Sequence, residues 1–146
     1  MTPRTSPLFA TPDEAEHAFY EALEQADLAQ LMEVWSDDEE IVCIHPGGPR
    51  LVGLQAVQES WQEIFANGPL PIRPLHLHTV QSMMSSVHTV VEQLVAGSGR
   101  SRQILNCHAT NVYHKGPTGW RLVLHHASQA PAGFEPVPED IPDLLH

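Results

Sequence analysis

WSDDEEIVCIHPGGPRLVG, residues 35–53, carries four structural signals in nineteen positions. Trp35 ends an apolar helical pattern, and Asp37–Glu40 form a solvated acidic turn. Ile41–His45 then read as a short apolar strand. Gly47-Gly48-Pro49 turns the chain, and Arg50–Val52 return as a second strand that Gly53 breaks. His45 stands at the strand end, where a side chain can enter a cavity.

Working outward, Thr11-Pro12-Asp13-Glu14 has the chemistry of a helix start. Thr11 can cap, Pro12 suits the first helical position, and two carboxylates favour the positive end of the helix dipole. Ala15, Ala18, Phe19, Ala22 and Leu23 form one apolar stripe ending near Gln25. Asp27 caps a second, shorter helix through Leu28, Leu31, Met32 and Trp35. A third carries Val57, Trp61, Ile64 and Phe65 at helical spacing and stops at Asn67-Gly68-Pro69. Downstream, 72–82, 87–96, 103–114 and 120–128 read as four long strands, with glycine-rich hairpin loops separating the last three. Residues 83–86 suit a turn or bulge. Helices followed by a run of antiparallel strands predict an α+β domain over 12–130. Residues 1–11 are expected to form a flexible N-terminal tail, and 131–146 a proline-rich C-terminal tail.

Composition narrows the function. A chain of 146 residues, 42% hydrophobic, fits one globular domain. A formal charge of −11 with seven scattered basic residues argues against nucleic acid. No apolar run reaches the roughly 18 residues of a membrane span, and no apolar leader follows Arg4. The expected compartment is the cytoplasm. There Cys43 and Cys107 read as reduced, small apolar residues. Ten histidines are many for this length. His76 and His78 alternate onto one strand face and could give a metal two ligands, but no adjacent carboxylate completes a site. They read instead as sheet-face or interface residues, and neither metal nor cofactor is expected.

The order α-α-β-β-α-β-β-β-β and these local patterns resemble the nuclear-transport-factor-2-like (NTF2-like) superfamily over residues 12–130. It includes ketosteroid isomerase, SnoaL-type polyketide cyclases, scytalone dehydratase and the association domain of calmodulin-dependent kinase II. The resemblance implies a cystatin-like cone, three N-terminal helices packed on a strongly curved, mainly antiparallel sheet. It also aligns three positions. The isomerase has an oxyanion-hole tyrosine in the first helix, where Phe19 stands here and Tyr20 lies one step off. Its aspartate base, a glutamate in the kinase domain, falls at His45. Its second oxyanion donor, an arginine in the kinase domain, falls at Asn111. The set therefore departs from that of a steroid isomerase.

The catalytic reading makes His45 an acid or base near neutral pH, with Asn111 and His125 polarising a substrate carbonyl. Asp37 or Asp38 nearby would raise the His45 pKa, and burial would lower it. His45 could instead bond a loop carbonyl, and Asn111 a neighbouring backbone group. Phe19, Trp35, Trp61, Cys107, Tyr113 and Val123 are the expected pocket residues. The alignment with the isomerase implies that Val123, His125 and Ala127 face inward on the last strand, and a one-residue bulge would exchange His125 for His126. The function expected is a small-molecule pocket, as a cofactor-independent isomerase, cyclase or dehydratase acting on an apolar carbonyl compound. The alternatives are non-catalytic binding of a small organic acid or other metabolite, and a dimeric assembly domain. A homodimer through the outer sheet face is expected, because that face carries His, Thr and Val rather than Lys and Glu.

Overall fold

The computed structural model describes residues 8–97 and 99–134. Helix α1 spans Pro12–Gln25, α2 Leu28–Val34 and α3 Leu54–Phe65. The strands are β1 (Val42–Ile44), β2 (Arg50–Val52), β3 (Ile72–Gln81), β4 (Ser85–Ala96), β5 (Gln103–Gly116) and β6 (Gly119–Gln129). They form one six-stranded sheet in the order β2-β1-β6-β5-β4-β3. Only the β1–β6 pair is parallel. The expected α+β cystatin-like fold is the one observed, with three helices on a mostly antiparallel sheet.

Local chemistry sets the helix starts. The Thr11 hydroxyl accepts from the Glu14 N–H at 3.1 Å, with Pro12 in the first turn. Asp27 accepts from the Gln30 N–H at 3.0 Å to start α2. The inner faces of the helices and sheet meet in a core of Phe19, Leu23, Leu31, Trp35, Val57, Trp61, Val90 and Leu122.

The N-terminal tail expectation fails at its last residues. Phe9 is buried, its carbonyl accepts from the Trp120 N–H at 2.9 Å, and its ring lies 5.0 Å beneath the Arg121 guanidinium. Gly119 opposite has φ +94°, and a Cβ there would sit 2.6 Å from the Phe9 oxygen. Burial of an aromatic ring holds this segment against β6. Residues 1–7 and 135–146 of the expected tails lie outside the described residues.

Two irregularities decide which side chains face inward. A bulge between His76 and His78 breaks the β3–β4 register, so their side chains do not form the two-histidine pair expected from simple alternation. A second bulge sets Tyr113 opposite Leu122 and Val112 opposite Leu124. Val123 is the extra residue. His125 and Ala127 are buried, and His126 is exposed.

Candidate functional site

Register builds a polar row across the inner face. Cys43 of β1 pairs with His125 of β6, His125 with Asn111 of β5, and Asn111 with His88 of β4. Glu92 lies four residues beyond His88 on β4, opposite Cys107. Helix α1 crosses above, with Glu16 and Tyr20 one turn apart on its buried face. These groups divide into two hydrogen-bonded networks.

The first borders a cavity of about 260 Å3. Leu23, Trp61, Ile64, Leu70, Leu94 and Leu105 give it apolar walls, and His45, Glu92, Cys107 and His125 supply its functional groups. Among the described residues, no lysine or arginine lines it. Its volume falls just below the usual range of small-molecule sites, about 300 Å3 and upward, and suits a small ligand. A larger groove, about 740 Å3, runs between the 37–39 turn and α3, but its carboxylates Asp37, Glu39 and Glu59 are all solvent-exposed.

Proton positions in the network follow from its donors. Tyr20 donates to Glu92 Oε2 at 2.7 Å and accepts from Asn111 Nδ2 at 2.9 Å. Asn111 Oδ1 accepts from His125 Nδ1 at 2.6 Å. His125 therefore carries its proton on Nδ1, and its Nε2 lone pair lies 4.0 Å from Glu92 Oε2. Burial pulls the His125 pKa down to about 3, with His45 and His126 adding repulsion, so the ring is neutral. Glu92 is 6% exposed. Burial lifts its pKa to about 7, the Tyr20 hydrogen bond opposes the rise, and the charge of Glu16 adds to it.

His45 reaches the cavity from the end of β1. The 45–48 turn closes through its carbonyl, which accepts from Gly48 N–H at 2.8 Å, and leaves the ring directed inward. Ser60 donates its hydroxyl proton to the Val57 carbonyl at 2.8 Å and so accepts from His45 Nε2 at 2.9 Å. Nδ1 keeps a lone pair. Burial lowers the His45 pKa, and Nε2 has the Ser60 hydroxyl and, at 3.7 Å, the Cys43 thiol as polar neighbours. The ring stands edge-on to Trp61 at 4.7 Å between centroids.

Of the expected residues, His45, His125, Trp61 and Cys107 line this cavity. Asn111 does not. It is fully buried behind the wall, with both ends of its amide engaged by Tyr20 and His125. Phe19 also lies behind the wall, packed on Trp61 and His125. Trp35 is core, bridged to Leu122. Tyr113 turns toward Glu16, and the bulged Val123 lines a shallow outer depression with Val112 and Leu124. Glu92 and Tyr20 were not among the expected residues. Continuing the His88-Val90 alternation two residues further would have placed Glu92 inward. Burial pushes the Cys43 thiol up to about 12 and raises that of Cys107, which keeps both protonated.

Comparison with known proteins agrees with this architecture. The SnoaL-like domain family matches residues 13–133. The chain belongs to that family. Its solved structural relatives include a domain from Thiobacillus denitrificans provisionally assigned as a calcium/calmodulin-dependent protein kinase type II association domain. That match is 37% identical, covers 86% of this chain and 100% of the other, and has a TM-score of 0.80. A protein from Streptomyces avermitilis, provisionally assigned as an NTF2-like dehydratase, is 29% identical over 84% of this chain and 100% of its own, with a TM-score of 0.72. A ketosteroid isomerase-like protein from Erwinia carotovora atroseptica shares the fold at 19% identity, covering 82% of this chain and 94% of the other, with a TM-score of 0.69. No curated protein matches the sequence. The SnoaL-like chain thus has the NTF2-like fold in which its sequence patterns place it. Among the described residues, no helix is long and apolar enough to cross a membrane.

Proposed function

We propose that this SnoaL-like protein is a cofactor-independent proton-transfer enzyme for a small apolar carbonyl compound, of the isomerase or dehydratase type. The observation that carries the reading is the Glu92 carboxyl, buried on an apolar cavity that His45 also lines, where burial lifts its pKa to about 7. A carboxyl held protonated at working pH can donate to a carbonyl oxygen, and a neutral imidazole can accept a proton from the adjacent carbon.

In the proposed step, His45 removes the proton from the carbon beside the carbonyl. The C–H electron pair becomes the C=C bond of an enol. The carbonyl π pair takes the Glu92 proton, leaving Glu92 ionised and His45 as imidazolium. Reprotonation at another carbon, with return of the hydroxyl proton to Glu92, completes an isomerisation. Loss of a β-hydroxyl from the same enol gives dehydration: the enol O–H proton returns to Glu92 as the C=O re-forms, and the imidazolium protonates the departing hydroxyl, which leaves as water. Asn111, expected to touch substrate, becomes a positioning residue that holds Tyr20 and His125. His125 cannot donate into the cavity while its only ring N–H is donated to Asn111 Oδ1.

The test follows α-proton exchange into deuterium oxide by NMR for a panel of small unsaturated ketones and hydroxy-ketones. Exchange above the buffer rate, lost in both His45→Ala and Glu92→Gln, supports the reading. A compound that binds without exchange points to the non-catalytic alternative. The cavity lacks a cation for an organic anion, which favours a neutral ligand.

A second reading, an assembly domain, draws on the 37% identity to the domain assigned to kinase association. We propose a homodimer through the outer face of β4–β6, where Val87, Thr110, Val112 and Leu124 are only partly covered. Light scattering at micromolar concentration tests it: a dimer mass is expected, and a monomer mass overturns it.

A further inference from the structure

The second buried network lies at the other end of α1. Glu16, His76 and His88 come from α1, β3 and β4, and their ligating atoms lie within 4.8 Å of one another. The arrangement of the two imidazoles is alike. His88 turns Nδ1 to Glu16 Oε2 in a close hydrogen bond and Nε2 to the Ser86 hydroxyl at 3.0 Å. His76 turns Nδ1 to Glu16 Oε1 at 3.6 Å and Nε2 to the Thr79 hydroxyl. Each ring therefore offers one nitrogen to a common point beside the carboxylate while a hydroxyl holds the other.

Metal-ligating histidines are usually oriented in this manner, with the second ring N–H donated to an outer partner. Ligating carboxylates are likewise hydrogen-bonded, and Tyr113 donates to Glu16 Oε2 at 3.1 Å. Glu16 and His76 open onto a surface groove of about 570 Å3, lined further by Asp13, Glu21 and Glu24 and, among the described residues, by no lysine or arginine. Asp13 Oδ1 is 3.9 Å from His88 Nε2. The surrounding charge attracts a dication.

We infer that Glu16, His76 and His88 form a binding site for one divalent first-row transition metal ion, its remaining positions open to water or a small ligand in the acidic groove. Two imidazoles and one carboxylate suit zinc, iron(II) or cobalt(II), and three protein ligands leave coordination positions free. On binding, the metal replaces the proton that links His88 Nδ1 to Glu16, and the half-exposed His76 ring closes the third side. His78 takes no part, because the β3 bulge separates it from His76.

The test is calorimetric titration of the full chain with zinc chloride, repeated with cobalt(II) followed by visible absorbance. One ion per chain is expected, with a cobalt spectrum free of thiolate charge-transfer bands. His76→Ala removes an exposed ligand without touching the core and should weaken zinc binding by at least tenfold. Glu16→Gln keeps hydrogen-bonding capacity and should do the same, and His78→Ala should leave the affinity unchanged. Absence of stoichiometric uptake overturns the proposal. So does wild-type affinity in His76→Ala, or a cobalt–thiolate band, which would place the ion at Cys43 or Cys107.

Discussion

Glu92 and Glu16 occupy matching places in two networks under the same helix, and their surroundings lead them to different chemistry. Each accepts from a tyrosine hydroxyl: Tyr20 for Glu92, Tyr113 for Glu16. Each has a histidine of the polar row nearby. Glu92 faces an apolar cavity with no cation, and the adjacent imidazole is held neutral with its proton turned away. Its carboxyl therefore keeps a proton to unusually high pH. Glu16 instead sits between two imidazoles at the edge of an open acidic groove. One carboxyl is placed to handle a proton, and the other to hold a cation. The difference comes from enclosure and neighbouring charge, since helix and sheet are shared.

The largest effect that separates the networks is on turnover. Glu92→Gln should lower α-proton exchange by about 10²–10⁴-fold, the range for a lost acid–base group. The amide still accepts from Tyr20, so folding should survive, and zinc uptake should match the wild type. Equal loss of both properties would mean that the networks are not independent.

The pH dependence of stability comes next. The folded-state pKa of Glu92 lies near 7 against 4.5 for the free group, so the native state binds more protons between those values. Stability from this group is present below 4.5 and lost as pH rises to 7, about 3 kcal/mol in all. His125, lowered from 6.5 to about 3, acts oppositely, and its contribution is lost as pH falls through that window. The two slopes cancel between pH 4.5 and 6.5. Denaturant unfolding should show Glu92→Gln gaining on the wild type by about 3 kcal/mol from pH 4.5 to 7.5. A constant difference would remove the burial argument.

Smaller effects test the hydrogen bonds singly. Asn111→Leu leaves the Tyr20 oxygen and His125 Nδ1 without their partner in the interior and should cost about 1–3 kcal/mol. Tyr113→Phe removes one hydroxyl from Glu16 and should cost about 1 kcal/mol, with exchange activity intact. A larger stability loss from Tyr113→Phe than from Asn111→Leu would reverse the order of the two networks.

The helices were legible because their signals are local. Thr11-Pro12 and Asp27 start α1 and α2 where capping chemistry says they should, and Gly53 bounds β2. Phe9 was misread because its pairing with Gly119 spans more than a hundred residues. In the site, His45 and His125 were visible as strand residues with inward alternation. Asn111 also points inward, but the length of Tyr20 places a phenol between it and the cavity's carboxyl. Glu92 follows Val90-Val91 in β4 and lies inward by the same alternation as His88, and Tyr20 stands one step from Phe19, which the alignment favours. Tyr20 joins the site through its hydrogen bond from α1 to Glu92 on β4, 72 residues away, a contact that no local pattern encodes.

The proton affinity of Glu92 tests the account most directly. Carbon-13 NMR of the protein labelled at glutamate carboxyls, with the resonance assigned by its absence in Glu92→Gln, gives the titration midpoint. A midpoint near 7 is expected for a carboxyl enclosed beside a neutral His125. A midpoint near the ordinary 4.5 would mean that water reaches the group freely, and the acid–base role of the cavity would be contradicted.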